Sequence, residues 1–434
     1  MKLMFRKVLP AGFIVFLSSF FLLNSFAFSD ISGHWAEEAV YRWAEKEAVR
    51  GLPDGTFRPD ANITRAEFVT IINNVMKYEN KSDEKYIDVP ANEWYAENVA
   101  KAVAAGVTVG IGNGRFGPMN LITRQEAAVM IYRAFRMQVK NPNAADKFSD
   151  TAHIAPWAKG AVSTLAENGY VSGRPGNKFA PLEYITRAEA LKIIDNILSD
   201  IAHTPGKYSG AVQKNLLVNT RDVELKDMTI NGNLYLSEGI GNGNIILEGV
   251  TVKGNILISG GGNSIILNNT TVEGTLYVLK YDGKVRIVAR GNTEIKNTQV
   301  LSGVKLEEEN ITAAGFRNVH VVLLKQGEKV ILNGDFDDVD INTPGAGVVL
   351  EKGSASSMEI RSGGFGTMVE LSVNSEIDTV KADAYVAVRG GGTVKNAEIR
   401  ANMTTFEMVP ENYTVYKGVI AIIGGTAVKG GYVS

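Results

Sequence analysis

Three hydrophobic patterns follow one another along the chain. An apolar run from Val8 to Leu23 comes first, behind Lys2, Arg6 and Lys7. From residue 28 to about 202, apolar positions recur at four-residue steps, as in Trp35, Ala39 and Trp43 or Trp157, Ala161 and Leu165. That period predicts amphipathic helices. Past residue 206 the helical period disappears, and short runs of Val, Ile, Leu and Thr alternate with Gly and Asn, the pattern of strands joined by tight turns.

The middle stretch is one unit used three times. The units start Phe28-Ser29-Asp30, Tyr86-Ile87-Asp88 and Phe148-Ser149-Asp150. A Trp follows (Trp35, Trp94, Trp157), then a Gly 16 residues later (Gly51, Gly110, Gly173), then a Phe (Phe57, Phe116, Phe179) and a Pro two residues beyond it (Pro59, Pro118, Pro181). Each unit ends in a five-residue motif before an apolar run: Ile63-Thr64-Arg65-Ala66-Glu67, Ile122-Thr123-Arg124-Gln125-Glu126 and Ile185-Thr186-Arg187-Ala188-Glu189. Thr with Glu three residues on is a capping box, so a second helix starts at each motif. The unit is therefore helix, loop, helix, and three units share one core because a single one cannot bury both faces.

The Arg of the motif is not explained by local structure. A cation in the first turn meets the positive end of the helix dipole. Arg beside free N–H groups at a helix start makes an anion site. The alternatives are a solvated charge or a bond to a carbonyl of the neighbouring repeat.

The C-terminal half repeats at a shorter period. Thr229–Leu236, Thr251–Ile258 and Thr271–Val278 align at steps of 22 and 20 residues, with Ile245–Leu247 and Ile265–Leu267 between them. Strands recurring at a near-constant period predict a β-solenoid. The expected architecture is a right-handed parallel β-helix over 207–434 with about ten rungs; a β-sandwich is the alternative. The chain is thus multidomain, an all-α triple repeat followed by an all-β solenoid. Expected boundaries are 1–27, 28–85, 86–145, 146–204 and 207–434, with His203–Gly206 as linker.

Composition narrows the chemistry. There is no Cys among 434 residues, which removes disulfides, thiolate metal sites and Cys nucleophiles. The four His are scattered, so no metal and no cofactor are expected. A net charge of −2 lacks the basic excess of a nucleic-acid binder. Residues 1–27 have a charged head, an apolar run and Ser25-Phe26-Ala27 before a cut, which predicts a cleaved secretory signal peptide rather than a membrane anchor.

The Phe-x-Asp start, the Trp, the Gly, the Phe-x-Pro loop and the Ile-Thr-Arg-Ala-Glu motif resemble three tandem S-layer homology domains over residues 28 to about 202. The resemblance implies a pseudo-threefold bundle with grooves between repeats. It also implies an exported protein held non-covalently on the bacterial cell wall through a secondary wall polysaccharide, often pyruvylated. Arg65, Arg124 and Arg187 would then bind the ketal carboxylate. Changing all three to Ala would abolish sedimentation with wall sacculi and leave the fold intact. Trp35, Trp94 and Trp157 stack on sugar rings or belong to the core. Asp30, Asp88 and Asp150 cap the first helix or bind sugar hydroxyls. Gly51, Gly110 and Gly173 supply positive φ or close chain approach. The differences between repeats, Ala66 against Gln125 and Arg58 against Gly117 and Ala180, predict unequal grooves.

The solenoid is expected to be a scaffold or adhesive rod, and the protein a binder rather than an enzyme, with self-association in a surface layer as a further partner. The competing function is a wall-tethered polysaccharide lyase or hydrolase using Asp335, Asp337, Asp338 and Asp340. That cluster is expected to be a solvated turn between rungs. No Gly-x-Ser-x-Gly and no Asn-Thr-Asp or Gly-His-Gly motif is present, and Gly239–Gly243 opens no helix and so is not a nucleotide loop. Release of reducing ends or unsaturated products from acidic polysaccharides would decide for the enzyme.

Overall fold

The computed structural model describes residues 28–281 and 284–431. The expected signal peptide lies outside the described residues. Among the described residues, no helix is long and apolar enough to cross a membrane.

Among the described residues, six α-helices form the N-terminal part, two per repeat: α1 (Glu37–Glu45), α2 (Arg65–Met76), α3 (Ala96–Ala104), α4 (Arg124–Ala134), α5 (Pro156–Glu167) and α6 (Arg187–Ile197). α2, α4 and α6 start at Thr64, Thr123 and Thr186, each closed by a full capping box. The Thr side chain accepts the N–H three residues on, while the Glu carboxylate accepts the Thr N–H at 2.9, 2.8 and 3.1 Å.

Three buried isoleucines mark the axis of the bundle. Ile63 N–H donates to the Ile185 carbonyl, Ile185 to Ile122, and Ile122 to Ile63, each at 3.1 Å. The three bonds close a triangle, so the repeats form a ring and not a row. Trp43 donates from Nε1 to Asp195 of α6 at 3.1 Å, locking the first repeat to the third.

The solenoid begins earlier than expected. Leu198–Ala202 leaves α6 directly and pairs in parallel with Asn215–Val218. His203–Gly206 is therefore the first corner of the coil and not a free linker. About eleven turns stack in parallel, and the step between rungs varies from 16 residues (Ala202 to Val218) to 26 (Val304 to Val330). Inward positions stack apolar on apolar, as with Ile258, Val278 and Val300. Corners are tied by an asparagine ladder: Oδ1 of Asn215, Asn233 and Asn255 accepts the N–H of Asn233, Asn255 and Thr275 at 2.7, 2.8 and 2.9 Å. Ile420–Ile423 is the last parallel strand, followed by one antiparallel strand, Thr426–Lys429.

The acidic cluster is not a turn. Asp335, Asp337, Asp338 and Asp340 lie in the strand Lys329–Ile341. Asp337 pairs with Arg317 at 2.9 Å, Asp340 with Arg361 at 2.6 Å and His320 at 3.3 Å, and Asp335 accepts from Ser354 at 2.8 Å. Stacked rungs bring opposite charges together across the ladder, where cross-strand pairs form.

The two halves are docked. Leu217, Tyr235 and Leu257 of the solenoid belong to the core of the bundle, and Phe135 meets Tyr235 edge to face at 5.4 Å. Asn219 Nδ2 donates to the Val75 carbonyl at 2.7 Å, and Glu238 accepts the N–H groups of Glu79 and Asn80.

Candidate functional site

Each motif Arg reaches forward into the loop of the next repeat. Arg65 lies 5.0 Å from the centre of the Phe116 ring and donates to the carbonyls of Phe116 and Val109, both at 3.1 Å. Arg124 covers Phe179 and donates to Phe179 at 2.8 Å and Ser172 at 3.3 Å. Arg187 of the third repeat closes the ring on the first, covering Phe57 and donating to Phe57 at 2.9 Å and Arg50 at 3.2 Å. Each guanidinium also faces the capping Glu of that next repeat: Glu126 at 3.6 Å, Glu189 at 2.9 Å and Glu67 at 3.5 Å. Burial pushes all three guanidinium pKa values down from the ordinary Arg value, and the facing Glu pulls each back up.

The helix starts are occupied in the same way. The N–H groups of Arg65 and Ala66 donate to Asn120 and Pro118, those of Arg124 and Gln125 to Glu183 and Pro181, and those of Arg187 and Ala188 to Ala61 and Pro59. The anion site expected at each helix N-terminus is thus filled by the neighbouring repeat. An Arg that looks unfavourable for its own helix is explained by carbonyls some 50 residues away in sequence, or across the ring closure.

Asp30, Asp88 and Asp150 neither cap the first helix nor face solvent with both oxygens free. Each carboxylate accepts two successive backbone N–H groups: Phe57 and Arg58 at 2.7 and 2.7 Å, Phe116 and Gly117 at 2.8 and 2.9 Å, Phe179 and Ala180 at 2.7 and 2.8 Å. The second residue of each pair has positive φ: 56° at Arg58, 72° at Gly117 and 57° at Ala180. A side chain there strains the backbone, and the carboxylate holds it in place.

Burial raises the Asp30 and Asp88 carboxyl pKa, but the backbone N–H groups together bring both below the ordinary value. A depressed carboxyl pKa contributes stability above its unfolded value of about 3.9, and that contribution is lost as pH falls through the lower folded value. Asp88→Asn should therefore destabilise the bundle by about 1–2 kcal/mol at pH 7. In urea titrations, the gap to the parent should shrink below about pH 4.

Gly51 and Gly110 serve close approach rather than positive φ. A Cβ would sit 2.4 Å from the Phe28 ring and 2.6 Å from the Tyr86 ring. Gly173 is less crowded, with a Cβ there 3.1 Å from Asn177 Oδ1.

The tryptophans depart from the helical stripe. Trp35 and Trp94 precede α1 and α3, and Trp157 is the second residue of α5. All three are exposed, at 59, 56 and 58%, whereas Trp43 is buried. Beside the motif, the second and third repeats also expose Met119, Leu121, Leu182 and Tyr184. The first repeat carries Asp60 and Asn62 at the equivalent places, and His34 pairs with Asp60 at 3.2 Å. These rim positions fall between the aligned Pro and Ile of each unit, so aligning the repeats would have found them. Gln125, where the first repeat has Ala66, accepts the Ala155 N–H at 3.0 Å, which explains that difference by contact with the third repeat.

The model of the S-layer homology domain matches residues 27–69, 85–128 and 147–191. The amylopullulanase of Thermoanaerobacterium thermosulfurigenes is 36% identical over 176 residues, 39% of this chain and 9% of that protein. An S-layer protein of Bacillus licheniformis is 27% identical over 386 residues, 86% of this chain and 41% of that protein. Among solved structures, chitinase ChiW from Paenibacillus sp. str. FPU-7 matches with 26% identity and a TM-score of 0.35, covering 39% of this chain and 15% of that one. The chain spans less than half the length of each of these relatives. With the matched segments coinciding with the three units of the ring, the helical half of this chain is a set of three S-layer homology domains, continued by a β-solenoid.

Proposed function

We propose that the triple-repeat ring anchors an exported protein to the bacterial cell wall by binding an acidic, pyruvylated secondary wall polysaccharide, and that the solenoid is a non-catalytic scaffold or adhesive rod. The observation that carries the binding is the exposure of Trp35, Trp94 and Trp157 at equivalent places in all three repeats. A large aromatic residue left in water at a repeated position fits a face that takes a partner. In this reading the motif arginines shape the seams between repeats, and the rings and rim side chains touch the glycan. The apolar rims of the second and third repeats favour them over the polar rim of the first. For the solenoid, a non-catalytic role is supported by the pairing of Asp337 and Asp340 with Arg317 and Arg361.

The test is sedimentation of the full chain with purified wall sacculi before and after removal of ketal-linked pyruvate. Binding should be retained on native walls and drop at least tenfold on depyruvylated ones. Equal binding to both would remove pyruvate from the reading, and no binding to either would remove the anchoring.

A further inference from the structure

A cavity of about 490 Å³ opens at the seam between the helical ring and the solenoid. Its walls come from the C-terminal ends of α3, α4 and α5 and from four successive rungs. Three cations line it, Arg133, Arg136 and Lys140, and no carboxylate does. None of the three has an ion pair among the described residues. In a chain with 47 acidic residues against 45 basic ones, three unpaired cations around one hollow form a site for negative charge. The dipole of α4 accounts for a cation at Arg133, in its last turn. It does not account for Lys140, six residues beyond the helix.

The rest of the lining specifies the kind of anion. Tyr132, Tyr170 and Tyr277 bring aromatic rings, and Asn255 and Gln299 bring amides. The ladder occupies Asn255 Oδ1, which leaves its N–H₂ to read a hydroxyl. Rungs repeat at about 4.8 Å along the wall, a row of similar steps that suits a linear, repeating ligand. The helix ends facing the hollow are C-termini, where a compact, doubly charged phosphate is disfavoured. A carboxylate carries less charge and is penalised less there, and guanidinium and ammonium groups hold it.

We propose that this seam binds a carboxylate-bearing oligosaccharide, at a place separate from the exposed Trp rim of the ring. It goes beyond the anchoring reading and does not depend on it.

The test is calorimetric titration of the full chain from residue 28 with tetragalacturonate, maltotetraose and inorganic phosphate at low ionic strength. Tetragalacturonate should bind saturably and at least tenfold more tightly than either other probe. The double variant Arg133→Gln, Lys140→Gln should lose at least tenfold in affinity with an unchanged urea midpoint, since both side chains are exposed. It should still sediment with walls, and Ala variants of Trp35, Trp94 and Trp157 should still bind tetragalacturonate. The proposal is overturned by no saturable binding, by phosphate or maltotetraose binding as tightly, by undiminished affinity in the double variant, or by loss of binding in the Trp variants alone.

Discussion

Replacing Arg124 by Ala is expected to destabilise the helical ring by about 3–5 kcal/mol, because it removes one partner of a buried, hydrogen-bonded ion pair. Glu189 then loses its 2.9 Å contact, the carbonyls of Phe179 and Ser172 lose donors, and the Phe179 ring loses its cover. Arg174 also bonds Glu189 and will recover part of the loss, which places the cost at the lower end of that range. Arg65→Ala and Arg187→Ala should cost less, since their Glu contacts are longer, at 3.6 and 3.5 Å. Urea unfolding followed by the fluorescence of buried Trp43 measures the order. The triple Arg→Ala protein should lose its folded ring at 25 °C, contrary to the expectation from sequence that the fold would survive. A triple variant with the parent's unfolding midpoint would refute the stapling role.

The second large effect concerns binding with no change in stability. Changing Trp35, Trp94 and Trp157 together to Ala should abolish sedimentation with wall sacculi while leaving the urea midpoint within about 0.5 kcal/mol of the parent. Truncating an aromatic anchor at a binding face costs about 2 kcal/mol or more, so three together exceed a thousandfold in affinity if each ring is engaged. Single changes should be unequal, with Trp35 weakest, because its neighbourhood carries Asp60 and Asn62 instead of Leu or Tyr. The variant keeps Trp43 as its only tryptophan, so its fold is read directly by fluorescence. Full sedimentation of the triple variant would remove the rings from the anchoring mechanism.

The capping boxes, the six helices and the parallel solenoid were legible because each rests on residues close in sequence or on a fixed period. The partners of the motif arginines were legible only as an alternative: a carbonyl of the neighbouring repeat was named, but not which one. Dipole reasoning identified them as serving something outside their own helix, but carbonyl oxygens carry no residue signature, and those of Phe116, Phe179 and Phe57 could be any backbone. The same holds for Asp30, whose acceptor role is met by N–H groups 27 and 28 residues later. The tryptophans misled through spacing: Trp35 stands four residues before Ala39, yet α1 starts only at Glu37, so the apparent stripe crosses a helix boundary. The start of the solenoid was hidden because Leu198–Ala202 continues the apolar run of α6, and short apolar runs do not separate strand from helix.

The passage from α6 into the first rung without slack has a mechanical consequence. A flexible tether would let a rod swing and dissipate a sideways pull. Here Leu217, Tyr235 and Leu257 are packed into the ring's own core, so drag on the far tip, on the order of 50 Å away, arrives at the base as torque. Any tilt of the ring is thus carried directly into the stacked rungs packed on it.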